Sequence, residues 1–63
     1  MNKIDDILKE KGISQTWLSK KIGKGYNMTN SYCRNRRQPS IEILFKISKV
    51  LNVKPSELIN DNF

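Results

Sequence analysis

Residues 14–40 read SQTWLSKKIGKGYNMTNSYCRNRRQPS, and the fold turns on this stretch. Ser14 stands just ahead of Leu18 and Ile22, two apolar residues one helical turn apart, so its hydroxyl is the expected N-cap of a short helix. Lys20 and Lys21 fall in the last turn, where cations suit the negative end of the helix dipole. Gly23 supplies the left-handed residue that stops the helix after about Lys21. A second helix follows almost at once, from Tyr26 to Arg34. On a 3.6-residue period its inward stripe is Thr29, Tyr32 and Cys33, with Met28 at the margin. The opposite face presents Tyr26, Asn27, Asn30, Ser31 and Arg34. Amides on an exposed helical face add little stability, so that face is read as a contact surface. Asn35 then takes the left-handed position that Gly often fills.

Working outward, helix signals continue on both sides. Asn2 is placed to cap a first helix whose first turns carry Asp5 and Asp6 and whose apolar stripe is Ile4, Ile7 and Leu8; Gly12 ends it. Beyond the quoted stretch, Pro39 and Ser40 open another helix, with Ser40 as its cap. Ile41, Ile43, Leu44, Phe45, Ile47, Val50 and Leu51 surround most of that helix, which predicts the central and most buried element. Asn52 closes it. Pro55-Ser56-Glu57-Leu58-Ile59 begins a short last helix, with Pro55 and Ser56 as competing start signals. Nothing alternates with period two for long enough to make a strand. The expectation is a single all-α domain over residues 1–63, a compact bundle of five short helices.

Charge is segregated along the chain. Twelve Lys and Arg stand against six Asp and Glu, a formal net charge of +6. From Lys11 to Ile41 there is no acidic residue, while Lys11, Lys20, Lys21, Lys24, Arg34, Arg36 and Arg37 all fall there; the remainder is close to neutral. Such confinement reads as a surface facing a polyanion, with a merely solvated basic face as the bland alternative.

Composition excludes several classes. There is no histidine and one cysteine, so no intramolecular disulfide forms and no metal site is expected. The absence of a Cys-His pair or a carboxylate cluster in a Gly-rich loop argues against an enzyme, and Asp5-Asp6 reads as a helix-start pair. Cys33 is expected to be small and partly buried, and Trp17 to pack in the core or between helices. No apolar run approaches the ~18 residues of a membrane span. The N-terminus, with two acids and no apolar core, does not resemble a secretion signal, which predicts a cytoplasmic protein.

The stretch from Ser14 to Ser40 resembles the helix-turn-helix domain of the phage repressor and Cro class, the Xre family of regulators. Ser14-Gln15 opens the first helix of the motif, Leu18 and Ile22 pack inward, Gly23 stands at the turn, and a basic loop ends in Pro39-Ser40 before the apolar helix that begins Ile41-Glu42. Gln15, Leu18, Gly23, Pro39 and Leu44 stand at the family's spacing, and Leu51 to Leu58 resemble its closing turn and fifth helix. Four positions depart from the pattern: Thr29 stands where Val or Ile is usual, Cys33 where Glu is frequent, Asn35 where Gly is frequent, and Gly25 where Ser or Thr commonly caps the recognition helix.

This resemblance implies a five-helix bundle of the lambda-repressor-like type, with the helix-turn-helix at about residues 14–35. It also implies a function: a regulator of transcription, more simply a repressor of the Cro/C1 type, that binds double-stranded DNA. The N-terminal part of the third helix enters the major groove and reads base edges. By motif position the base readers are Tyr26, Asn27, Met28, Asn30 and Ser31, with Asn27 the candidate for a bidentate contact to adenine. Tyr26 and Met28 have packing, and Asn30 a solvated amide, as their alternative readings. Gln15, Lys24, Arg34, Arg36 and Arg37 are the phosphate-binding candidates; Lys20 and Lys21 stay open between phosphate contact and solubility. One such unit reads few base pairs, so a homodimer on a palindromic operator is implied, with half-sites roughly 34 Å apart. Leu58, Ile59 and Phe63, or Ile43 and Phe45 of the fourth helix, are the candidates for its pairing surface, with closure of the monomer's own core as the alternative reading of the same residues. Neither a cofactor nor a small-molecule ligand is expected. The competing class is a protein-interaction adaptor or antitoxin-like module with the same fold and weak or no specific DNA reading.

Overall fold

The computed structural model describes residues 2–59. Four α-helices run in chain order: α1 (Ile4–Lys11), α2 (Gln15–Ile22), α3 (Tyr26–Cys33) and α4 (Ile41–Leu51). A 3₁₀ turn, Pro55–Leu58, follows. The expected fifth α-helix is therefore replaced by a single tight turn. Pro55 opens it at the first position, Lys54 rather than Ser56 stands at the cap site, and Ile59 is already extended. Among the described residues there is no strand, only an antiparallel bridge between Asn2 and Ile59.

The local stops are those the sequence dictates. Ser14 Oγ accepts from the Trp17 N–H at 3.0 Å and Ser40 Oγ from the Ile43 N–H at 3.3 Å, each satisfying a donor the helix leaves free. Asn35 and Asn52 take positive φ, +60° and +57°, where an Asn side chain is tolerated and most others are not. At α1 the cap position belongs to Lys3, one residue later than expected. Asn2 still accepts from the Ile4 N–H through Oδ1, at 3.1 Å.

Ile4, Leu8, Leu18, Ile22, Tyr32, Cys33, Ile47, Leu51 and Leu58 form the core, with Thr29 fully buried beside them. The Thr29 hydroxyl is satisfied within its own helix, donating to the Gly25 carbonyl at 3.1 Å. α2 packs against both α3 and α4, α1 against α3, and the 3₁₀ turn against α4. α2 thus sits between α4 and α3, the helix that carries the exposed amides.

Three expectations about burial are corrected. α4 is not the most enclosed element: Ile47, Ser48 and Leu51 are buried, but Ile41 is 72% and Phe45 52% exposed. A chain this small has too little surface to cover every apolar face of its longest helix. Trp17 is not in the core but exposed, with the Lys21 ammonium 5.4 Å from its ring centroid. Leu58 is fully buried and closes the core instead of forming a pairing surface. Phe63 lies outside the described residues.

Candidate nucleic-acid interface

The face built by α2, α3 and the loop that follows gathers most of the candidates. α3 starts at Tyr26 behind Gly25, which has no side chain to cap it, and the first turn projects Tyr26 and Asn27 into solvent. Met28, Asn30 and Ser31 are half-buried along its length. Thr29, Tyr32 and Cys33 occupy the inward stripe and fix the helix rotation, so the polar residues have no alternative but to face out.

Gln15, in the first turn of α2, reaches across to this face. Its Oε1 accepts from the Asn30 Nδ2 at 2.8 Å, joining the start of α2 to the middle of α3. The contact orients the Asn30 amide. Asn30 is therefore not a free solvated amide.

The loop after α3 folds back on the helix. The N–H groups of Arg36 and Arg37 both donate to the Ser31 carbonyl, at 3.0 and 3.3 Å. The Arg37 guanidinium lies against the Met28 sulfur, with Nη1 to Sδ at 3.5 Å. This places a full positive charge beside the exposed first turn of α3. Arg36 and Lys24 are exposed, one following the helix and the other preceding it. Arg34 is exposed as well, but it lines a polar cleft with Asp5, Lys9, Gln15 and Cys33. It therefore stands on the α1 side of the face, next to Gln15, rather than with Arg37. In the same cleft Lys9 pairs with Asp5 at 2.9 Å; that hydrogen bond and the nearby carboxylate raise the lysine pKa. Burial pushes the Cys33 thiol up to about 11, the opposite of what a reactive cysteine requires.

Two positioning residues escaped the sequence reading. Asn2 and Gln38 form, with Asn35, a set of side-chain amides linked to one another beneath the basic loop. Asn2 and Asn35 are 33 residues apart, so no spacing rule connects them. The available signal was an Asn, rather than the commoner Gly, at the left-handed position.

A family model described as helix-turn-helix matches residues 4–58, from the start of α1 to the end of the 3₁₀ turn. The chain is a helix-turn-helix protein of the Xre/Cro type. A crystal structure from Bacteroides fragilis, described as "a putative DNA-binding protein", is similar at 40% identity. The match covers 95% of this chain and 97% of that one, with a TM-score of 0.93. No curated protein matches the chain. In helix-turn-helix terms α2 is the first helix of the motif and α3 the second, and the Gln15–Asn30 bond ties the two together. Among the described residues no helix is long and apolar enough to cross a membrane, and no group of side chains is arranged to hold a metal.

Proposed function

We propose that this chain is a sequence-specific, double-stranded-DNA-binding regulator of transcription that acts as a repressor. α3 enters the major groove, where Tyr26 and Asn27 meet base edges first and Met28, Asn30 and Ser31 follow along the helix. Lys24, Arg36 and Arg37 neutralise phosphates on either side of the groove, and Arg34 and Gln15 meet the backbone near the start of α2. The observation that carries the reading is the Arg37 guanidinium resting on Met28, beside an α3 first turn whose polar side chains are exposed. A phosphate-neutralising group and base-reading amides stand together there, as groove binding requires. The reading needs no cofactor, no small ligand and no catalysis: promoter occupancy is the mechanism, in the cytoplasm with the DNA.

The regulator pairs as a homodimer on a palindromic operator. The exposed stripe of α4 supports this face for pairing, with Ile41 in place of the expected Ile43, which is half-buried against the core: Ile41 and Phe45 lie one turn apart, beside exposed Glu42, Lys46 and Lys49. Two copies packed antiparallel about a twofold axis would bring Glu42 of one toward Lys46 and Lys49 of the other, so the face can complement itself in charge.

Selection of bound duplexes from a random library tests the reading. One enriched inverted repeat is expected, with binding that weakens as salt rises by roughly 0.9 in log K per log salt for each phosphate engaged. No enriched motif and no binding at low salt would instead mark a protein-interaction module.

A further inference from the structure

The loop that holds Arg36 and Arg37 is bracketed by two amide residues, Asn35 and Gln38, and both are bonded to Asn2. The Asn35 side chain holds both main-chain groups of Asn2: Oδ1 accepts from its N–H at 2.7 Å and Nδ2 donates to its carbonyl at 3.3 Å. The Asn2 side chain reaches back, with Nδ2 donating to the Tyr32 carbonyl at 3.0 Å and to Gln38 Oε1 at 2.9 Å. Gln38 Nε2 donates to Asn35 Oδ1 at 3.1 Å and closes the ring. Asn2 is only 9% exposed, and the adjacent Lys3 N–H is anchored to the Leu58 carbonyl at 2.8 Å. The loop is therefore tied to the core edge where the first and last described segments meet.

We infer that Asn2, Asn35 and Gln38 act as a neutral amide staple that positions the arginine loop on DNA, so that Asn2 and Asn35 set affinity without touching the duplex. The inference rests on the DNA-binding reading. Two features favour positioning over simple backbone support. Glycine adopts the φ of +60° found at Asn35 with less strain, so the backbone alone gives no reason for an amide there. A carboxylate at any of the three positions would lack the donors the ring uses. It would also set a negative charge near Arg36 and Arg37 and weaken their field for phosphate. Amides hold the loop and leave its charge intact.

Asn35→Gly separates the two roles, because it keeps the backbone conformation and removes the staple. The expected result is unchanged helicity and base preference, with affinity falling about five- to tenfold on operator and random duplex alike, the size of one lost hydrogen-bonded constraint. The salt dependence becomes shallower by about 0.9, one phosphate contact fewer. Asn2→Ala keeps the main-chain groups that Asn35 holds but removes the Nδ2 bonds to Gln38 and Tyr32 and the acceptor of the Ile4 N–H, so it weakens operator and random duplex alike with a small loss of stability, and the double variant loses less than the product of the two because both open one ring. Wild-type affinity and salt slope in Asn35→Gly, or losses that multiply in the double variant, overturn the inference. Amide hydrogen exchange at Arg36 and Arg37 gives a readout without DNA: it accelerates in Asn35→Gly, and unchanged exchange also overturns the staple. Failure of the wild-type protein to bind any duplex would refute the DNA reading instead, and the exchange result would still decide the staple.

Discussion

Gln15→Ala removes the acceptor of the bond that orients Asn30, a contact of 2.8 Å between two half-buried side chains. In the free protein Asn30 regains water, so stability falls by no more than about 1 kcal/mol, the lower part of the range for a single hydrogen bond. On DNA the same amide must be ordered without its partner. Fixing one side chain costs about 0.5–1.5 kcal/mol, and the lost bond adds to that cost in a drier site. The sum is about 1–2 kcal/mol, a roughly 5- to 30-fold weaker complex. Fluorescence anisotropy with a labelled operator measures this loss, with thermal unfolding as the control for stability. The decisive quantity is the double-mutant cycle with Asn30→Ala. If Gln15 works through Asn30, the two losses overlap and the coupling energy is about 1 kcal/mol. Additive losses, with coupling below about 0.3 kcal/mol, would mean that the bond is incidental to recognition.

Other expectations follow from the same geometry. Asn27→Ala relaxes preference at one base position by ~1–3 kcal/mol, seen as a single degenerate position when bound duplexes are selected again. Arg37→Gln weakens operator and random duplex alike and makes the salt slope shallower by about 0.9, whereas a change in motif would assign Arg37 to base reading. If α4 pairs as proposed, Phe45→Glu places like charges across the twofold axis and abolishes dimers on operator DNA in sedimentation while the helical content stays. For Cys33 the folded thiol titrates near 11, above the ordinary value of 9.0, because burial disfavours the thiolate. The unfolded chain gives up that proton at lower pH, so this contribution to stability is complete below about pH 9 and disappears as pH rises toward 11. Thiolate absorbance followed against pH in the folded and denatured protein checks the order of the two titrations.

Much of the fold was legible because its signals are local. The Ser14 and Ser40 hydroxyls reach donors three residues away, and Gly12, Gly23, Asn35 and Asn52 end or follow helices through their own φ. The inward stripe of α3 follows from helical period alone, and it exposes Tyr26 and Asn27. α4 and Trp17 misled for a common reason. Hydrophobicity states which side chains gain from burial, not how much core there is to receive them. In a small domain Ile41, Phe45 and Trp17 are left over. The last helix failed on energetics: four residues form too little helix to sustain α-geometry, and a 3₁₀ turn serves as well for seating Leu58.

The sequence by itself determined where the four α-helices begin and end to within about a residue, which face of α3 is polar, and that positive charge concentrates around it. These depend on neighbours within a turn or on charge along the chain. Only the tertiary structure decided that Gln15 meets Asn30, that Arg37 rests on Met28, that Arg34 stands on the α1 side, and that Asn2 underlies the arginine loop. A side-chain amide carries no record of its distant partner. That partner is chosen when apolar stripes from separate helices pack together and bring polar groups, distant in the chain, within hydrogen-bonding reach.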